Sequence, residues 1–398
     1  MLMDLTLTRR IFKLMLLSGR ESVLKKRFIL FIAVGLFPGV LLAAGMTTHM
    51  YVAEEAIRRV ADPELRSLLL AEKDAVLAGS VFPDTGNGLR FAGWPEERNY
   101  SDQTHKLDFL ESYLAYVQSR CRRPYDEHCR LLLGHLMGVA AHDVEDCTYH
   151  EIFDWYVEEM DLRGRDADMD SEGDMILISR YHRGKVLPPY RLPVDDLVEI
   201  FSSLGMPQTG KEIKLGNQIH RLALFLERSY APLVYQSSKN RLAWTMENIY
   251  SGPGGVSESA EFLARFWDAL WLRLNGKDEL VQPIAGVFPA DGFSALPPEA
   301  EIYVMFAQPV SRAGVNSTNF VLQDAEGNLV KGRVRNHGGK SEPLVIFSAF
   351  EPFARLTPGR TYTAILKSGI NDWKGRPLTR EFRWSFTVAP GRACRASK

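Results

Sequence analysis

Neither sign of charge prevails in this sequence: 48 Lys and Arg stand against 49 Asp and Glu in 398 residues. No general basic field is present to draw in nucleic acid, so a polyanion would have to be held by a local patch. Internal repeats and low-complexity tracts are absent as well. Cysteine is scarce, four residues in all, which fits export without requiring it. Cys121 and Cys129 flank the short stretch "RRPYDEH", which an oxidising compartment could close with a disulfide; four free thiols is the equal alternative. Cys147 and Cys394 have no evident mate.

What is present begins with a hydrophobic content of 45%, enough for a sizeable core and for two domains. The basic run Lys25-Lys26-Arg27 precedes an apolar stretch, residues 28–44, which closes on Ala43, Ala44 and Gly45. That pattern reads as an export signal over residues 1–44, cut near residues 43–45, with a retained anchor as the other reading. Pro38 and Gly39 inside the stretch argue against a continuous spanning helix, because proline removes a backbone donor.

From residue 48 to about residue 275 apolar positions recur every three or four residues, as in "YVAEEAIRRVADPELRSLLLAEKDAVLAG" and "CRLLLGHLMGVAAHDVEDCTYHEIFDWYVEEM". Asp62-Pro63 marks a break where a new helix can begin. After "NGKDELVQPIAG" the texture changes to alternating apolar and polar residues rich in Val, Phe, Tyr and Thr, as in "EIYVMFAQPV" and "REFRWSFTVAP". "DAEGNL" supplies hairpin chemistry. The expectation is a multidomain α plus β chain: a mostly helical bundle over 45–278, a small β-sandwich over 281–390, and a tail, 391–398.

The densest group of candidate ligands is "HLMGVAAHDVEDCTYHEIF". On an α-helix His142, Asp146 and His150 advance by about 40° each and share one stripe. His142 and His150 have α-carbons about 12 Å apart on such a helix, so one helix could serve two ions with Asp146 between them. Polar groups embedded in so apolar a helix need partners, and imidazole with carboxylate suits zinc. His135 is read as a core or supporting histidine. His49 opens the first helix, Asp84 stands in the turn "GSVFPDTG", His105 begins a later helix, and Asp170 and Asp174 align four residues apart in "DSEGD". Taken singly, these are a helix-cap neighbour, a turn former, a solvated face and first-turn acids.

Together, "GMTTHMYVAEEA", "AGSVFPD", "QTHKLDF", "HLMGVAAHDVEDCTYH" and "DSEGD" resemble the successive motifs of the zinc-dependent phospholipase C family, in its glycosylphosphatidylinositol-specific phospholipase D-like branch. The resemblance runs from residue 44 to about 180. It implies two to three Zn2+ ions between helices of a bundle. One ion would take His49 with the freed chain end and Asp146. A second would take Asp84, His105, His142 and again Asp146, and a third His150, Asp170 and Asp174. The family usually has histidine where Asp170 stands, so the third ion is labile or His182 substitutes. Residues 281–390, with "SGINDWKGRPL", resemble a bacterial immunoglobulin-like domain, an accessory module whose surface partner the sequence does not name.

The resemblance implies an exported phosphoester hydrolase using metal-activated water, with Asp84 as candidate base, a phospholipid or other phosphodiester as substrate, and a peripheral membrane contact. Two other readings compete. One is a single-strand nuclease with the same trinuclear centre, supported by the basic and aromatic "SRYHRGKVLPPYR" but not by the overall charge. The other is a non-enzymatic surface protein with a structural metal.

Overall fold

Asp62-Pro63 does what such a pair should: helix α1 (Met46–Ile57) stops before it, and α2 (Pro63–Ala71) starts at the proline. The Asp62 carboxylate accepts the Glu64 and Leu65 N–H groups at 2.9 Å each, capping the new helix. This computed structural model describes residues 45–164, 169–181, 191–277, 283–338, 342–378 and 380–390, without the side chains of Phe91 and Asp170. Residues 1–44, expected to be an export signal, lie outside the described residues, as do His182, Cys394 and most of "SRYHRGKVLPPYR".

Further helices follow: α3 (Lys73–Gly79), α4 (Leu107–Arg120), α5 (Glu127–Glu145), α6 (Met169–Tyr181), α7 (Val194–Ser203), α8 (Gly210–Arg241) and α9 (Val256–Leu274). Asp126 caps α5 by accepting the Cys129 N–H, and Thr209 with Glu212 forms a capping box on α8. Helices α3 and α5 cross backbone to backbone. A Cβ on Gly79 would fall 2.3 Å from the His135 carbonyl oxygen, and one on Gly138 would fall 2.2 Å from that of Val76. Glycine is required at both places because no side chain fits.

Beyond Glu145 the chain does not continue as a plain α-helix. Asp146–Phe153 is wound as a π-helix, then Asp154–Val157 returns to α. Such widened turns concentrate at functional sites. Cys121 and Cys129 are disulfide-bonded, with α-carbons 5.5 Å apart, which decides between the two readings of that pair; Cys147 is a buried thiol.

The chain divides into two compact units. One holds Leu68–Ser257 with the described residues up to Glu55; the other holds Ala56–Ser67 with the described residues from Glu258 onward. In the second unit, strands β1 (Ile284–Phe288), β2 (Ile302–Ser311), β5 (Leu344–Pro352) and β4 (Gly332–Asn336) form one antiparallel sheet in the order β1-β2-β5-β4. Strands β3 (Phe320–Asp324), β6 (Thr361–Leu366) and β7 (Phe382–Thr387) form the other. Helix α9 contributes to the same unit. Phe262 fills the space over Gly286, where a Cβ would lie 2.3 Å from its ring, and the buried Arg273 stacks over Trp373 at 4.5 Å. No helix among the described residues is long and apolar enough to cross a membrane.

Candidate metal centre

Six of the eight anticipated residues come together in the first unit. His49 arrives from the first turns of α1, Asp84 from the 3-10 turn Pro83–Gly86, and His105 from the end of the short helix Ser101–Thr104. His142 stands near the end of α5, and Asp146 and His150 follow on the π-helical turn. The α3–α5 crossing sets the spacing, because it brings the Ser80 carbonyl to the His142 ring.

Each imidazole is held by its Nδ1. His49 bonds Glu145 Oε2 at 2.8 Å, His105 the Ser101 carbonyl at 2.7 Å, His142 the Ser80 carbonyl at 2.9 Å, and His150 the Asp154 Oδ2 at 2.9 Å. All four Nε2 atoms then face Asp146, and those of His49, His105 and His142 also face Asp84. His49 Nε2 lies 4.0 Å from Asp84 Oδ2 and 3.7 Å from Asp146 Oδ1, and His105 Nε2 lies 3.5 Å and 3.6 Å from the other oxygens of the same pair. His142 Nε2 is 3.4 Å from Asp146 Oδ2, and His150 Nε2 is 3.8 Å from Asp146 Oδ1. The Nε2 atoms of His105 and His142 are only 2.9 Å apart, while the His49 and His142 rings stack at 4.0 Å. Zinc binds imidazole nitrogen at about 2.0–2.1 Å, so nitrogens converging this closely fit ligands of one cation. Two overlapping sets meet that test: His49, Asp84 and His142, and His105, His142 and Asp146.

Exposure gives the site a floor and a mouth. The His49 and His142 side chains are 3% and 1% exposed, whereas those of His105 and His150 are 32% and 36%. Ligand must approach over His105, Asp146 and His150.

The electrostatics follow from crowding without solvent. Burial alone would raise the Asp84 and Asp146 carboxyls, but the surrounding imidazoles, His142 foremost, hold both below the usual carboxylate range. Burial alone would lower His49, yet Glu145 and the two aspartates outweigh it and raise it to about 9. His105 is likewise raised to about 10, against its own burial, by Asp84 and Asp146. His142 goes the other way, to about 3, through burial and its cationic neighbours. With Nδ1–H donated to Ser80, a neutral His142 presents a bare Nε2 lone pair. Metal entry would displace the protons on His49 and His105.

Asp174 is not among the converging groups, and its oxygens are bonded to Thr47 and Thr48. The Asp170 side chain is outside the described residues. His135 is a core histidine, fully buried between Phe82 and Tyr113. Three groups escaped the sequence reading. Asp154 extends the four-residue stripe of His142, Asp146 and His150 by one step, so its signal was there. Glu145 carried no comparable signal, because its partner His49 is 96 residues away. His220, on α8, is buried near enough for the charges of Asp84 and His49 to act on it, and burial lowers it to about 4.

Imidazoles and carboxylates gathered at cation spacing on a helical scaffold, with a β-sandwich in the same chain, describe a helical unit with a candidate metal centre followed by a β-sandwich module. Residues 48–176 match the family model of zinc dependent phospholipase C, and residues 282–388 match that of the bacterial Ig-like domain. Among curated proteins it is similar to phosphatidylinositol-glycan-specific phospholipase D of Mus musculus, 24% identical over 41% of this chain and 20% of that one. The bovine protein of the same name is 30% identical over 27% and 13%, and the Dictyostelium discoideum one 25% over 42% and 19%. The chain thus spans about a fifth or less of these relatives' length. Among solved structures, CopC from Methylosinus trichosporium OB3b is 18% identical over 27% of this chain and 93% of its own, with a TM-score of 0.22. The N-terminal part of the bacterial S-layer protein SbsC is 11% identical over 72% and 78%, with a TM-score of 0.23. Likeness at that level carries no argument.

Proposed function

We propose that this chain is an exported zinc-dependent phosphoester hydrolase whose substrate is the phosphodiester of a phospholipid, met at a membrane surface. The observation that supports the reading most is the convergence of four Nε2 atoms on Asp146, three of them also on Asp84. When bound, zinc supplies Lewis acidity toward phosphoryl oxygens and toward water. The protein's own part is preorganisation. Carbonyls and carboxylates on Nδ1 fix each ring and leave Nε2 to the cation. Asp84 Oδ2 faces His49 and His142 while Oδ1 faces His105, so one oxygen can hold the cation while the other accepts the proton of the attacking water. Deep burial of His49 and His142 keeps solvent from the floor, and the exposed edge at His105 and His150 admits the phosphate.

The test is metal analysis of the purified full chain, then hydrolysis of a phosphocholine diester and of single-stranded DNA, each with and without chelator. Bound zinc and chelator-sensitive cleavage of the lipid ester are expected, and His142→Ala should abolish both. Metal without cleavage of either substrate would favour a structural ion; preferential cleavage of DNA would favour the nuclease.

A further inference from the structure

In the resembled family the third ion would take His150, Asp170 and Asp174, yet here two of those residues are committed differently. Asp174 is 0% exposed, and its carboxylate is already saturated. Oδ1 accepts the Thr48 N–H at 2.7 Å and the Thr48 hydroxyl at 2.6 Å, and Oδ2 accepts the Thr47 N–H at 2.7 Å. The Glu227 carboxyl hydrogen-bonds to Asp174 and also accepts the Thr47 hydroxyl at 3.1 Å. A carboxylate offers about four lone-pair positions; the three Thr47 and Thr48 donors and the adjacent Glu227 carboxyl leave none directed to a cation. His150 makes its contacts apart from Asp174, with Nδ1 on Asp154 and Nε2 toward Asp146.

The donors explain what Asp174 does instead. Thr47 and Thr48 are the second and third residues of α1, where N–H groups have no partner within the helix and a negative charge is favoured. Asp174 therefore serves α1 as an N-cap serves its own helix, but from more than a hundred residues downstream. His49 is the next residue after Thr48, so whatever fixes the first turn of α1 fixes the direction of the His49 ring.

We propose that Asp174 is a positioning residue rather than a metal ligand: with Glu227 it clamps α1 so that His49 enters the centre, and the chain holds two zinc ions, not three. The proposal rests on the zinc reading of the site, but its test does not rest on turnover. Full-length chain is loaded with zinc and desalted, the zinc-to-protein ratio is measured by plasma mass spectrometry, and affinity is measured by competition with a chromophoric chelator. Wild type should hold two ions. Asp174→Asn, which keeps an oxygen able to cap a helix, should hold two as well. Asp174→Ala should weaken the ion held by His49 about 10–100-fold, as loss of a supporting partner does. In the His49→Ala background it should add little further loss, because both changes act through one ring. Should Asp174→Ala fail to fold, Thr48→Val removes one bond of the clamp and should weaken the same ion by a smaller factor. Three ions in wild type, falling to two in both Asp174 variants, would make Asp174 a ligand and overturn the proposal. Unchanged zinc affinity in Asp174→Ala, or in Thr48→Val where that is the variant used, would overturn it too. Two bound ions without cleavage of any phosphoester would sink the hydrolase reading and leave the clamp standing.

Discussion

Glu145 and Asp154 each accept the Nδ1 proton of a centre histidine, and through that bond each raises the basicity of the opposite nitrogen. Each bonds the ring nitrogen opposite the one that faces the pocket, so each acts on a bound ion through the orientation and basicity of His49 or His150. The fully buried His135 tells a different story, because burial holds it at about 3, well under its ordinary 6.5. Below about pH 6.5 the unfolded chain binds the extra proton and the folded chain does not. Stability tied to this residue is therefore complete above 6.5 and is lost as pH falls toward 3, at no more than about 1.4 kcal/mol per pH unit. Urea unfolding at pH 5 and pH 7 should show a shallower acid loss in His135→Leu than in wild type. Identical slopes would mean that this ring is protonated in the folded protein. At this scale the sequence was legible where ligands share one helix: His142, Asp146 and His150 announce themselves by spacing. It was illegible where partners are far apart, as with His49 and Glu145, since no periodicity links residues on different helices.

At the scale of the element, the centre depends on how closely α3 and α5 approach. Gly79 and Gly138 let the backbones touch, and the touch delivers the Ser80 carbonyl to His142. Gly138→Ala places a methyl carbon where the Val76 oxygen already stands, so it should cost about 1–3 kcal/mol of unfolding free energy. It should also loosen zinc, because the helices can part only by moving Ser80 from the ring. Denaturant melts with zinc titration check both; full stability would mean that the crossing has slack. Most helices followed from the apolar period and most strands from alternation. The π-helical turn did not, because the same residues satisfy an α pattern and only packing chooses the wider winding. Strand β1 has little alternation to announce it, since "IAGVF" is short and carries a glycine where the pairing register shifts.

For the whole molecule, the division into units assigns α9 to the part that contains the sandwich. Phe262 over Gly286, the Arg265 guanidinium donating to the Ala285 carbonyl at 3.1 Å and Arg273 over Trp373 are all lost if the chain is ended after residue 277. Such a truncated chain should bind a hydrophobic-surface dye more strongly and melt lower than the full chain; an unchanged melt would detach α9 from the sandwich. Nothing in the helical period of α9 announces this allegiance, because the apolar stripe of a helix does not say which partner will cover it. The clamp on α1 has a temporal consequence. Its bonds span 126 to 180 residues, so a nascent chain emerging from the ribosome has made His49 long before it makes Asp174 and Glu227, which hold the first turn of α1 in place. Until those residues emerge, the earliest imidazole of the centre hangs on an untethered helix, and the pocket for the ions can close only near the end of synthesis of the helical part.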